Sequence, residues 1–428
     1  MVARTETYPR SSEPQVVVAA LVAITLFVAA WTLLHVGFYR HKQVLDTPIY
    51  QRYGNAIADG RVPYRDFAVE YPPGALPVFA LPGLAKHGRA QNVTSGFRKS
   101  FEAMMWACGA VALMAMALTL RALRAPGPRI WGALAFAALA PLALGSVVLS
   151  RFDLWPAALV AAAIAAVASG WWRLGSAVLG VAVAVKLYPA VLAPLVVVGA
   201  WRREGRRAGL VALALVVGVA ALVFLPFVIL SPGGVWDSVS GQLRRPLQLE
   251  SLGSAVLLAG HHAFGAGVTV ASSHGSQNLA GDGPDALAAV LTGLQLAFLL
   301  WIWAGYARGR LGFVVAAAAA LVGFVAFGKV LSPQFLIWLI AVVPLVPGRR
   351  GLAATALLAA ALVLTQLWFP FRYWELANHL DATSSWLVLA RDLVLVALAV
   401  VLATPTRRRA TPASADVVAP ATSGCQAP

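Results

Sequence analysis

Three carboxylates in this chain stand where they could move a proton. Asp46 follows the first long apolar run and leads into Thr47-Pro48-Ile49-Tyr50. A carboxylate at the edge of a membrane span faces lipid headgroups, where it can take a proton from an acceptor hydroxyl. An aspartate two residues ahead of a proline can equally cap a helix, and spacing alone leaves both roles open. Asp66 and Glu70 lie four apart within Tyr64-Arg65-Asp66-Phe67-Ala68-Val69-Glu70-Tyr71-Pro72-Pro73. On a helix they would share a face and perturb one another's proton affinity. The flanking Pro63 and Pro72 point to a turn instead.

Cations accompany these acids. Lys186 opens Lys186-Leu187-Tyr188-Pro189 in the middle of an apolar run, where an ammonium is tolerated if it meets an anion such as a lipid phosphate. Its alternative is snorkelling to an interface. Arg151-Phe152-Asp153-Leu154-Trp155 is a short turn able to bind phosphate and sugar, or a structural ion pair with Trp155 in an interfacial aromatic belt. Arg244, Arg245, Gln248, Glu250 and Ser251 form a polar cluster that could ride on an amphipathic surface helix. Lys329, ahead of Ser332-Pro333-Gln334, is either a second phosphate contact or a snorkelling lysine.

Other signals carry less. His261, His262 and His274 lack metal-ligand spacing, so no metal is expected. Asn92-Val93-Thr94 fits a glycosylation sequon of the kind that occurs by chance, and Arg391-Asp392 reads as a self-neutralising pair near the outer end of the last span. Cys108 and Cys425 are isolated. No Walker A, GxGxxG or DxD element is present, which argues against a nucleotide-sugar donor.

The elements that must position these residues are membrane helices. Of 428 residues 60% are hydrophobic and 12% charged, with a mean hydropathy of +0.77; a soluble domain carries about 25% charged residues. The formal charge of +16 lies between apolar runs and marks topology, so no nucleic acid is expected as a partner. Runs of spanning length fall near 16–37, 101–120, 130–149, 153–170, 208–230, 286–306, 312–328, 331–347, 351–369 and 385–403, the first read as a retained signal anchor. By the positive-inside rule the short arginine-bearing loops, the N-terminus (1–15) and the C-terminal tail (404–428, read as disordered) are cytoplasmic. The run 174–200 has arginines at both ends and Pro189 inside, which predicts two half-helices meeting at Lys186–Pro189. This topology leaves only Glu6, Glu13, Glu204 and Asp416 inside, with the other 13 of the 17 acids outside. The expected fold is therefore an all-α polytopic bundle over 16–403, of about ten full spans plus the broken pair. Two long extracytoplasmic segments, 38–99 and 232–285, are the first candidates to carry the chemistry, and the apolar stretch 75–85 within the first, too short to span, is expected to lie at the interface or dip into it.

Asp46-x-x-x-Tyr50, the Tyr64 to Pro73 stretch, Lys186-Leu187-Tyr188-Pro189 and Ser332-Pro333-Gln334-Phe335 together resemble the actinobacterial branch of glycosyltransferase family 87, in the GT-C superfamily. The resemblance implies a plasma-membrane enzyme that moves a sugar, mannose by family precedent, from a polyprenyl-phosphate donor to a lipid or glycan acceptor outside the cell. It implies inversion at the sugar and neither metal nor cofactor. Asp46 matches the family's first-loop catalytic acid, and Asp66 and Glu70 match the acidic patch before the Pro-Pro; Thr47 stands where many relatives carry a second acid, which leaves the base open among the three. Lys186, Tyr188, Arg151 and Lys329 would hold the donor phosphate. Tyr50, Tyr64, Arg65, Tyr71, Asp153, Arg245, Gln248, Glu250 and Gln334 would contact sugar or acceptor. The competing readings are a lipid-linked-glycan flippase, which would place its charges at the bilayer midplane between repeated halves, and a non-catalytic lipid-binding relative.

Overall fold

The computed structural model describes residues 13–40, 44–85 and 94–404. Asn92 of the sequon, the first twelve residues and the tail from 405 lie outside them. Among the described residues 77% are helical. Six described helices are long and apolar enough to cross a membrane: Glu13–Leu33, Ser95–Ala122, Arg206–Leu230, Asp282–Ala307, Gly348–Trp368 and Ala382–Ala403.

The remaining expected spans are shorter pieces, Gly127–Leu139, Leu154–Ala168, Phe313–Ala326 and Phe335–Ile340. Prolines account for two of the breaks: Pro141 sits in the 3-10 turn after the first, and Pro344 in the 3-10 turn after the last. Leu154–Ala168 and Phe313–Ala326 are buried on nearly every side, the pattern of core helices against which the longer ones pack. The run 174–200 is broken as its sequence predicts. Trp172–Val185 ends at Lys186, whose backbone is extended (φ −156°, ψ 143°), and a 3-10 turn Tyr188–Leu192 leads into Ala193–Glu204.

The purely α expectation needs one correction. Thr269–Ser273 and Ser276–Ala280 form an antiparallel hairpin. His274 and Gly275 turn it with positive φ at both positions (+52° and +67°), the geometry that matches strand twist in two-residue hairpin loops. A second correction concerns Arg244 to Ser251, expected on a surface helix. The helix Pro232–Leu243 stops before them, and Leu247 to Ser251 are buried, laid along the hairpin by Leu249 N–H to Gln277 O (3.0 Å) and Leu279 N–H to Leu247 O (2.9 Å).

Charge segregates along the bundle. Arg121 pairs with Glu13, Arg129 donates to Pro344 O and Val346 O (2.7 and 2.6 Å), Arg202 to Tyr306 O (2.9 Å) and Arg350 to Thr404 O. These contacts tie the arginine-bearing turns together at one end. The two long segments meet at the other: Ser231 Oγ donates to Tyr64 O (3.0 Å), Ser238 Oγ to Tyr71 O (3.4 Å) and Gln242 Nε2 to Glu70 O (2.9 Å).

The helix that follows Asp46, Thr47–Ala58, starts with Pro48 in its first turn. It packs on Pro77–Ala85, the helix formed by the short apolar stretch, and the approach depends on missing side chains. A Cβ on Gly54 would meet Phe79 O, and would stand 3.1 Å from the Phe97 ring and 3.2 Å from Gly83 Cα. Gly54→Ala is expected to cost about 1–3 kcal/mol through overpacking and to lower the unfolding temperature of the detergent-solubilised protein. Gly218→Ala, at a position with open space around its Cβ, is the control expected to leave it unchanged.

Candidate functional site

The site is assembled where four separated segments converge at the acid-bearing end. Asp46 occupies the N-cap position of its helix, yet its carboxylate makes no cap hydrogen bond. It forms an ion pair with Arg151 instead, and Tyr50 Oη lies 3.5 Å from the same carboxylate oxygen. The Tyr50 ring is fully buried, stacked on Phe79 at 4.7 Å and edge-on to Phe152 at 5.7 Å, which fixes the acid from behind.

Arg151 and Asp153 were a possible pair from their spacing, but they take different partners. Leu154–Ala168 begins directly after Asp153, and its first turn points this carboxylate inward, where it is 1% exposed. Lys186 Nζ donates to it at 2.6 Å and Trp338 Nε1 at 2.7 Å. The ammonium is also ringed by Phe152, Trp338 and Phe335 at 4.8, 5.1 and 5.6 Å from their centroids. Lys186 thus neither snorkels nor waits unpaired: its anion is Asp153. The Trp155 indole N–H donates to Gly74 O of the Pro-Pro-Gly turn at 3.2 Å. Tyr188 stacks flat on Trp338 at 3.7 Å.

The second segment supplies a third charged group. Glu250 is 3% exposed, and burial pushes its carboxyl up to about 8, with Arg391 and Arg151 pulling it back. Burial thus favours its protonated form, which can donate a hydrogen bond. Arg391 Nη2 donates to Glu250 O at 2.6 Å while its Nε lies 2.7 Å from Asp392, so the doublet in the last span also ties the loop to the bundle. Gln248 Nε2 donates to Ser332 Oγ at 2.7 Å and its N–H to Lys329 O at 2.9 Å. Lys329 Nζ donates to Leu243 O at 3.0 Å, and Arg245 to His274 O at 2.8 Å. Gln334 sits at the N-cap of Phe335–Ile340, one turn before Trp338.

Several buried polar atoms here have no protein partner: Ser150 Oγ, Arg151 Nε, Tyr188 Oη, Arg245 Nε, Gln248 Oε1 and Glu250 Oε2. Buried polar atoms in folded chains usually find a partner, so these are free to meet a polar ligand or water. Beside Asp46 a cavity of about 380 Å³ opens between His35, Arg40, Arg98, Glu102, Thr47 and Ser150. His35 Nε2 lies 2.7 Å from Glu102 there, and Arg98 3.7 Å from it.

The second acidic patch is differently placed. Asp66 lies in an exposed turn, where Arg65 at 2.9 Å and the Val62 N–H at 2.7 Å hold its carboxyl down at about 2. That is opposite in direction to the mutual raising expected of an Asp66–Glu70 pair, and the two are not on a helix. A carboxylate so depressed is a weak base at neutral pH. Glu70 is exposed, with its carboxylate turned towards Gly275 of the hairpin. Tyr64, held at φ +68°, donates its hydroxyl to Tyr71 O at 2.6 Å and so braces the turn.

Sequence reasoning missed Phe152, Trp338, Phe335 and the His35–Glu102–Arg98 group. Trp338 lies in an apolar run where nothing separates it from ordinary core, while Phe152 and Phe335 stand in the Arg151–Trp155 and Ser332–Phe335 motifs without a role of their own. His35 and Arg98 stand 63 positions apart and become neighbours only because Glu13–Leu33 packs against Ser95–Ala122.

A helical membrane protein with buried acids and cations gathered at one end is the class that fold and site define. The model of glycosyltransferase family 87 matches residues 69–333, more than half of the chain. The chain belongs to glycosyltransferase family 87, and it is a membrane glycosyltransferase. No curated protein matches it. The match spans Glu70, Arg151, Asp153, Lys186 and Glu250; Asp46 and Trp338 lie outside it.

The central pair can be tested by a double-mutant cycle read by thermal unfolding. Lys186→Met alone leaves Asp153 buried without its cation and is expected to cost about 3–5 kcal/mol. Asp153→Asn combined with Lys186→Met is expected to recover most of that loss, because no lone charge remains.

Proposed function

We propose that the enzyme moves a sugar, mannose in this reading, from a polyprenyl monophosphate to a hydroxyl of a lipid or glycan acceptor. The reaction runs on the extracytoplasmic face of the plasma membrane, with both termini in the cytoplasm. The observation that carries this reading is the burial of two carboxylate–cation pairs, Asp46 with Arg151 and Asp153 with Lys186, among unpaired polar atoms at one end of a family 87 bundle.

A sugar held on phosphate brings its own leaving group. The protein must then supply a base for the acceptor hydroxyl and cations for the departing phosphate. Asp46 takes the hydroxyl proton as the acceptor oxygen bonds to the anomeric carbon. The bond from that carbon to the phosphate oxygen breaks with both electrons, and the phosphate's added negative charge falls to Arg151 and Lys186. A single displacement from the face opposite the phosphate inverts the anomeric centre. Asp153 is a positioning residue, holding Lys186 and Trp338 in place. Tyr188, Lys329, Arg245 and Gln248 extend the polar wall available to the donor, and Glu250 adds a buried carboxyl to it. Tyr50 supports Asp46, while Tyr64, Arg65, Asp66, Glu70, Tyr71 and Gln334 shape the acceptor side.

The reading is tested by transfer of radiolabelled mannose from polyprenyl-phosphate-mannose to membrane acceptors with purified protein. Asp46→Asn is expected to lower kcat by about 10²–10⁴-fold, the usual worth of a general base, with the fold intact. Asp66→Asn is expected to stay within a few-fold of wild type. Loss of transfer in Asp66→Asn alone would move the base to the second patch, and donor binding without transfer by wild type would favour a transporter.

A further inference from the structure

A large cavity lies at the opposite end of the bundle from Asp46. It is a groove of about 1110 Å³ between the end of Ala193–Glu204, the end of Asp282–Ala307 and the turn into Phe313–Ala326. Arg202, Arg203, Arg308 and Arg310 line it, and no carboxylate does. Arg202 is held in place, donating to Tyr306 O at 2.9 Å with its guanidinium 5.8 Å over the Tyr306 ring. Arg203 reaches Val167 O at 3.4 Å. Glu204, next in the chain, accepts from Trp172 Nε1 at 2.5 Å.

The N-terminus of Phe313–Ala326 opens into the same groove. Its N-cap is Gly312, which has no side chain to accept from the first-turn N–H groups. Arginines that only set topology need water around them and gain nothing from sharing a concavity, where like charges repel. Four of them converging with an uncapped helix start is the arrangement that an anion relieves. Trp201 and Trp301, 51% and 57% exposed, flank the groove on the same two helices, the residue type that settles at headgroup level.

We propose that this groove binds the phosphate headgroup of an anionic membrane lipid. The site is separate from sugar transfer, and its test reads lipid binding alone. Purified protein is reconstituted in phosphatidylcholine nanodiscs doped with phosphatidylglycerol, and retained lipid is counted by native mass spectrometry at low and high salt. Wild type is expected to retain phosphatidylglycerol preferentially. The exposed-site variant Arg308→Gln/Arg310→Gln is expected to retain about tenfold less, the scale of two arginines against an anionic headgroup. Arg173→Gln, an exposed arginine at the same end but outside the groove, is expected to behave as wild type. Unfolding temperatures within a few degrees of wild type verify the fold of each variant. Equal retention by the double variant, or equal loss in Arg173→Gln, overturns the proposal. A parallel arm adds inorganic phosphate: if millimolar phosphate binds lipid-free protein and strips the retained lipid, the ligand is soluble phosphate and the lipid assignment fails.

Discussion

An ammonium buried where a helix breaks is the constraint around which the acid-bearing end is organised. Lys186 cannot remain charged in an apolar bundle without a close anion, and Asp153 supplies it at 2.6 Å. Asp153 in turn needs more than one donor, and Trp338 Nε1 is the second. These bonds join the turn before Leu154–Ala168, the broken helix and Phe335–Ile340. Three short elements, none fitted to span lipid alone, are thereby locked to one another. The break itself is built from sequence: Pro189 removes a donor, and Lys186 adopts the extended backbone that ends the preceding helix.

The same logic extends outward. Asp46 and Arg151 form a second pair beside the first, and Glu250 with Arg391 a third contact between the second long segment and the last span. Buried pairs of this kind add little net stability, since desolvation offsets attraction. In the proposed reaction their use is to bind the donor and acceptor, not to add stability. The arginine-rich end is organised differently, with exposed guanidiniums bonded to backbone carbonyls. The two ends of one bundle thus present opposite chemistries, acids and buried cations at one, open arginines at the other.

Much of this is legible in the sequence. Apolar run length and arginine placement locate the six long helices, and a proline between two arginine groups locates the broken one. Hydropathy marks Leu154–Ala168 and Phe313–Ala326 as apolar but not that they are buried on nearly every side, because it does not distinguish burial in protein from burial in lipid. The hairpin at 269–280 was missed because His274-Gly275 stands where Asn-Gly would announce the turn. At the site, the charged residues were visible as types out of place, but their partners were not. Arg151 and Asp153 sit two apart and pair with residues 105 and 33 positions away, a choice made by packing. Asp66 carried the same chemistry on paper; the neighbouring Arg65 and Val62 N–H lower its proton affinity, an environment that the sequence spacing did not show.

The central claim is that Arg151 and Lys186, now held by Asp46 and Asp153, are the cations that receive the donor phosphate. The measurement that tests it most directly is the affinity of the purified protein for sugar-free polyprenyl phosphate, which isolates phosphate binding from transfer. Wild type is compared with Arg151→Met and with Asp153→Asn/Lys186→Met, which removes a whole ion pair and leaves no lone buried charge. The account predicts a loss of at least about tenfold in affinity for each variant, with the unfolding transition retained. Unchanged affinity in both folded variants would contradict it and place the donor phosphate elsewhere.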